Sequence, residues 1–358
     1  MKKRIIAAVA FLPTGALAAG GTQPELFAET KLLNEDALIL EAKTLALQSQ
    51  QKHKFDSTLR RDFHPKAHGC IKGSLTVPND VPINLRYGVF AKPSTYKVWA
   101  RASSGDPKVQ SDNLPDIRGF AFKVIGVAGA RLLEGDTSNT ADFLLVTSPV
   151  YPTADLVGYN KMVKSLVDGT LAMGKFAAAN PGTALGVQAA RTHGGFVADP
   201  LETQYWTVSP IKHGPNAVKY TIKPCTAVTS RLHHPGSQYL RAAMKAHLEK
   251  SHGCFDVFAQ TFVSETATPI ENYSVEWKTS TTQFLKIARL EFPVQTFDSS
   301  AQNTFCENLS FNPWHTTDEH RPLGNLNRAR RAVYEATSTT RHLENQVVRA
   351  EPTGDETF

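Results

Sequence analysis

Tyr334 lies in a run of residues that could hold a metal. If the segment from Arg328 to His342 is helical, about 100° of turn per residue puts Arg330, Tyr334, Thr337 and Arg341 on one stripe. Arg330 precedes Tyr334 by four residues, so the two side chains can touch. A neighbouring cation favours a phenolate over a phenol. A phenolate is a hard anionic ligand, and tyrosinate is one of the axial ligands that haem iron accepts. The same spacing also describes a solvated, arginine-rich helix with a tyrosine packed at its edge. The stripe alone does not choose between the two.

Other chemistries find little support. The chain has no Gly-x-Ser-x-Gly elbow, no phosphate loop and no Gly-x-Gly-x-x-Gly fingerprint. His233 and His234, followed by Pro235-Gly236, read as a polar turn, because adjacent residues rarely point at one ion. Cys70, Cys225, Cys254 and Cys306 are widely spaced and form no Cys-x-x-Cys pair, which argues against zinc and against a thioredoxin-like motif. One or two disulfides are expected of them, and three pairings stay open.

The 358 residues carry a formal charge of +6, spread without basic runs interleaved with aromatics, so no nucleic-acid partner is implied. The positive charge suits solubility and anionic ligands such as a cofactor's carboxylates. Hydrophobic residues make up 41% of the chain, enough for a core around a buried cofactor. Lys2, Lys3 and Arg4, the apolar run Ile5 to Leu12 and the small residues Ala16-Leu17-Ala18 read as an export signal. The expected domains are a signal peptide at 1–18 and one domain at 19–358. A periplasmic or secreted protein follows, with no membrane span after cleavage, because the apolar run is too short for one.

Apolar periodicity predicts a helix from Leu32 to Leu47. Short β-like runs follow at Gly73–Val77, Ile83–Phe90, Tyr96–Ala102, Gly119–Val127 and Asp142–Thr147. Asp155 to Ala179 reads as a helix that ends at Asn180-Pro181. Further strands are expected at Ala217–Pro224, Cys254–Val263, Tyr273–Thr279 and Phe284–Phe292, with helices at Tyr239–Lys250 and Asn325–Asn345. The fold class is therefore α+β. A closed antiparallel barrel of about eight strands, with helices at both ends, removes the edges that so many strands would expose.

Four segments resemble haem catalases. Arg61-Asp62-Phe63-His64-Pro65-Lys66 is similar to the distal-histidine run Arg-x-x-His-x-Lys. Arg101-Ala102-Ser103-Ser104 is similar to Arg-Phe-Ser-Thr, and Asp116-Ile117-Arg118-Gly119-Phe120-Ala121-Phe122-Lys123 to Asp-Pro-Arg-Gly-Phe-Ala-x-Lys. Arg330-x-x-x-Tyr334 with Arg341 is similar to the proximal tyrosine motif. The segments come in the family's order and span Arg61 to Arg341. The short, exported catalase-related peroxidases are the branch most resembled.

The resemblance implies a catalase-like barrel with a C-terminal haem-ligand helix, and haem, of the b type, as cofactor. Tyr334 would be the iron's axial ligand and His64 the distal acid/base. Ser103, with Ser104 as a second candidate, would set the tautomer of the imidazole. Asp116 would orient incoming peroxide. Arg61, Arg101 and Arg341 would pair with the haem carboxylates, and Arg330 would hold Tyr334 as phenolate. Tyr159 falls near the position of a pocket phenylalanine, and equally suits the core face of its helix.

One position departs from the family. Its distal asparagine falls on Val146, which has no hydrogen bond to give, with Thr147 beside it. The expected function is therefore a peroxidase that oxidises a small organic donor with hydrogen peroxide or an organic hydroperoxide, with at most weak catalase activity. Conversion of lipid hydroperoxides and non-enzymatic haem binding are the alternatives. Classical catalases continue past the tyrosine helix with segments that support tetramers, so a monomer or homodimer is expected here.

Overall fold

The computed structural model describes residues 29–195, 197–228 and 236–358. The export signal and the His233-His234 pair lie outside the described residues.

Strands form wherever β-branched and aromatic residues alternate with polar ones between turn residues. In chain order they are β1 (Ala67–Val77), β2 (Ser94–Ser104), β3 (Arg118–Ile125), β4 (Thr140–Val146), β5 (Tyr205–Trp206), β6 (Ile211–His213), β7 (Asn216–Pro224), β8 (Gly253–Thr261) and β9 (Leu285–Phe292). All pairings are antiparallel. The order is β5-β4-β3-β2-β1-β9-β8-β7-β6, and β5 also pairs with β7. That last pairing closes an eight-stranded barrel, with β6 attached outside the ring.

The helices are α1 (Glu35–Lys52), α2 (Leu156–Asp168), α3 (Thr170–Ala179), α4 (Pro181–Gly195), α5 (Tyr239–Leu248), α6 (Ser300–Asn308) and α7 (Asn325–Glu344). Among the described residues no helix is long and apolar enough to cross a membrane.

The two-residue period of the strands sorts side chains between two faces. Ile71, Leu75, Ala100, Phe120, Phe122, Phe143, Tyr220, Phe255 and Phe292 point inward and form the main core. On β2–β4 the alternate residues point outward, and the register aligns them in rows. Ser103, Gly119, Val146 and Trp206 face one another across β2, β3, β4 and β5. Arg101, Ala121 and Leu144 form the next row.

Helices α1 and α7 pack together over this outer face through small residues, Ala42 and Ala46 against Ala329 and Val333. Arg328 ties the start of α7 to Glu29, Glu35 and Glu271. Asp155 caps α2 by accepting from the Gly158 N–H at 2.8 Å.

Three expected elements differ. Ile83–Phe90 is not a strand but two 3₁₀ turns, Ile83–Leu85 and Gly88–Phe90. Gly88 at φ +52 breaks the extension, and Leu85, Val89 and Phe90 pack into the main core as a plug. Tyr273–Thr279 is irregular: the Tyr273 hydroxyl accepts from the Leu326 N–H at 3.0 Å and so caps α7. The single helix expected over Asp155–Ala179 is broken at Gly169, φ +104, and a further helix, α4, starts directly at Pro181. Proline at a first helical position begins a helix as readily as it ends one.

The cysteines pair as Cys70–Cys306 and Cys225–Cys254, which resolves the three open alternatives. The first bridge ties β1 to α6, and the second ties the end of β7 to β8.

Candidate functional site

The outward face of β2–β4, roofed by α1, α2 and α7, encloses a cavity of about 920 Å³. His64, Ser103, Asp116, Arg61, Arg101, Arg330, Arg341 and Tyr334 all line it, although the sequence separates them by up to 280 positions. Val146 lines it too.

His64 sits in the loop entering β1 at φ +62, a left-handed conformation that costs a non-glycine residue energy. Its backbone N–H donates to the Gly105 carbonyl at 3.3 Å, which holds the turn. Its Nδ1 lies 3.1 Å from the Ser103 hydroxyl. Gly119, beside Ser103 in the row, leaves room for the ring: a Cβ there would come within 2.5 Å of His64 Cε1. The strand register therefore creates both the partner and the space for this imidazole. Burial, reinforced by Arg101, Arg330 and Arg61, holds its pKa down to about 3, so the ring is neutral. With Nδ1 engaged by Ser103, Nε2 is the nitrogen left for a ligand.

Ser104, the expected second partner of His64, is engaged elsewhere. Its side chain points to the other face of β2, bonding His68 Nε2 at 2.9 Å and accepting from Arg118 Nη1 at 2.5 Å. Thr147, the residue next to Val146, is also engaged: its hydroxyl accepts from the Arg118 N–H at 3.0 Å. The register stays fixed, and it is Val146 that faces the cavity.

On α7, Arg330 Nη2 donates to the Tyr334 oxygen at 3.1 Å. Arg330 is itself positioned by Asn327 Oδ1 at 3.0 Å and by the Ser209 hydroxyl at 3.3 Å. The phenol oxygen thus receives a charged donor from a guanidinium held at two other points.

Arg61, Arg101 and Arg341 gather at one end of the cavity. Arg61 donates to Glu307 Oε1 at 3.0 Å and to the Leu309 carbonyl at 2.5 Å. Arg341 donates to the backbone carbonyls of Glu307 and Leu309. Among the described residues, buried Arg101 makes a single bond, to the Pro65 carbonyl at 3.3 Å, and its Nε has no partner. Burial, reinforced by the Arg61 charge and opposed by Glu307, lowers the pKa of Arg341 to about 9. Burial and Arg61 likewise hold Arg101 well below its ordinary value. One carboxylate among three guanidiniums leaves this end short of anions.

Asp116 lies on the cavity wall, buried, with Oδ2 accepting from the Asp106 N–H at 3.0 Å. Burial raises its carboxyl to about 6. Tyr159 takes both expected positions at once: it lines the cavity and packs in the apolar cluster around Met162, 5.9 Å from Tyr151 between ring centroids.

Sequence reasoning missed Asp62, Tyr151, Trp206 and Glu307, all at this site. Asp62 is two residues from His64, and among the described residues its buried carboxylate has no close partner beyond weak help from the Ser49 hydroxyl. Burial raises its pKa to about 7. An acid placed two residues before the histidine was a readable signal. Glu307 and Trp206 had none, because only the tertiary fold brings them here.

No protein-family model matches the chain, and no curated protein matches it in sequence. Solved structures do match. A bacterial catalase has 16% identity and a TM-score of 0.60, covering 96% of this chain and 67% of that one. A fungal catalase has 16% identity and a TM-score of 0.65, covering 95% and 71%. Catalase A from Saccharomyces cerevisiae has 16% identity and a TM-score of 0.65, covering 94% and 71%. The chain therefore has the catalase fold.

Proposed function

We propose that this cavity holds a haem, and that the protein is an exported, single-domain enzyme that consumes peroxides, acting as a peroxidase more than as a catalase. The observation that carries the reading is one cavity with an arginine-held phenol, Tyr334, and a neutral imidazole, His64, on its walls. The residues fit the cofactor. The anion-poor group Arg61, Arg101 and Arg341, with the Arg101 Nε unpartnered, suits the two carboxylates of a haem. Tyr334 Oη would bind the iron and Arg330 would stabilise it in anionic form. When bound, the haem supplies the redox chemistry that breaks the peroxide O–O bond.

The chain's own part is proton movement and placement. Ser103 fixes Nδ1 of His64, so Nε2 takes the proton from one peroxide oxygen and returns it to the leaving oxygen. A ring held neutral is ready to accept that proton. Asp116 orients the incoming peroxide. Val146 offers no hydrogen bond opposite His64, which weakens the handling of a second hydrogen peroxide and favours an organic donor. The two disulfides support an oxidising compartment, periplasmic or extracellular.

An optical spectrum of the purified ferric protein tests this reading. A five-coordinate, tyrosinate-type haem spectrum is expected, and Tyr334→Phe should lose it. A colourless protein that cannot be reconstituted with haem would overturn the proposal.

A further inference from the structure

A helix leaves its last four carbonyls without partners of their own. In α6 these belong to Cys306, Glu307, Asn308 and Leu309. Arg61 Nη2 donates to the Cys306 carbonyl at 3.2 Å and to the Leu309 carbonyl at 2.5 Å. Arg341 donates to the carbonyls of Glu307 and Leu309. His342 Nε2 lies 2.8 Å from the Asn308 carbonyl. The Glu307 carboxylate meets Arg61 Nη1 at 3.0 Å. The negative end of one short helix therefore sets two of the three guanidiniums gathered at the end of the cavity.

At nine residues, α6 is too short to be stable by itself. The Cys70–Cys306 bridge holds it. Cys306 lies in the turn that Arg61 and Arg341 clasp, and Cys70 is paired across β1 and β2 with Arg101, the third guanidinium. The bridge thus joins the backbone that positions Arg61 and Arg341 to the strand position beside Arg101. Gln302 adds a second tie, its Nε2 donating to the Cys70 carbonyl at 2.9 Å. Both cysteines are buried in a cluster with Trp99 and Leu309. The other bridge, Cys225–Cys254, ties β7 to β8, and neither strand carries one of the three arginines.

We propose that Cys70 and Cys306 are positioning residues for the cofactor. By pinning the last turn of α6 to β1, their disulfide holds Arg61, Arg101 and Arg341 in the arrangement that retains the two carboxylates of a haem. This rests on the haem-binding function proposed above. The two disulfides then have different tasks: one retains the cofactor, and the other only braces the barrel.

Haem transfer from the loaded protein to excess apomyoglobin tests the inference without any turnover. Cys70→Ala/Cys306→Ala should release haem about tenfold faster or more, since misplaced arginines lose charge-assisted bonds and such losses appear chiefly in dissociation. Cys225→Ala/Cys254→Ala should release it at the parent's rate. Haem dimethyl ester, whose carboxylates are blocked, separates positioning from general loosening. With the ester, the parent and Cys70→Ala/Cys306→Ala should release at one rate, whereas a loosened fold would speed the loss of both forms. If that variant does not fold, reducing the loaded Cys225→Ala/Cys254→Ala protein with a phosphine opens the one remaining bridge and gives the same comparison. Equal haem release with the bridge open and closed would overturn this inference alone. So would equal acceleration for haem and its ester. A parent that takes up no haem would overturn the proposed function, and this inference with it.

Discussion

The two faces of the same strands could hardly be less alike. Inside the barrel one buried polar network runs from His320 to Leu85 with every one of its bonds made. His320 Nε2 accepts the Val89 N–H at 3.0 Å, so its proton is on Nδ1, which donates to the Tyr220 oxygen at 3.2 Å. Tyr220 then donates to His213 Nδ1 at 2.6 Å, and His213 Nε2 donates to the Leu85 carbonyl at 2.7 Å. The chain has one consistent direction and requires both rings to be neutral. Burial agrees, lowering His213 to about 4 and holding His320 well below its ordinary value. Outside, the cavity holds Arg101 with an unbonded Nε and Asp62 with a poorly satisfied carboxylate. A fully satisfied network rigidifies a core, whereas an unsatisfied buried group is a cost that a ligand can relieve. The period-two pleat lets one strand serve both purposes.

That contrast predicts opposite results for mutations on the two faces. The largest effect is expected outside. His64→Phe should lower peroxide turnover by a factor on the order of 10²–10⁴, the usual contribution of a positioned acid/base. Haem absorbance should stay, because the arginines and Tyr334 are untouched. Turnover at the normal rate would remove His64 from its proposed role. Inside, Phe143 stacks on Phe122 at 4.9 Å and touches Phe90 and Tyr220. Phe143→Ala should cost about 3–5 kcal/mol of folding stability in denaturant titrations. Turnover per folded molecule should change little. If it fell as steeply as in His64→Phe, the two faces would not be separate in function.

Much of this division was legible beforehand. Alternation marked β7 and β9 within a residue or two, and the helix at Asn325–Asn345 was placed almost to its ends. The residues that later met at the cavity were readable because His64, Arg101, Asp116 and Tyr334 each belong to a local run. Other features were not. Ile83–Phe90 is as apolar as a strand, and only the turn at Gly88 makes it a plug. The two-residue β5, which closes the barrel, is too short for any periodicity to register. Pattern also cannot give register, so the row Ser103–Gly119–Val146 that builds the His64 pocket emerged only from the pairing. Asp62 shows the limit most directly: its residue type was visible, but its burial was not.

Asp62 also offers the finest test of the comparison. A carboxyl whose pKa rises from 3.8 to about 7 on folding binds its proton more tightly in the native state. Between those values the native protein holds more protons than the unfolded chain, so stability falls as pH rises. The contribution is fully favourable below about pH 4 and is lost as pH passes 7. Asp62→Asn removes this dependence. The variant should match the parent near pH 4 and exceed it at pH 8 by on the order of 3 kcal/mol, measured by urea unfolding at both pH values. A gap independent of pH would show that Asp62 is not carrying an uncompensated charge. The cavity face would then be as well satisfied as the interior, and the contrast drawn between them would fail at this residue.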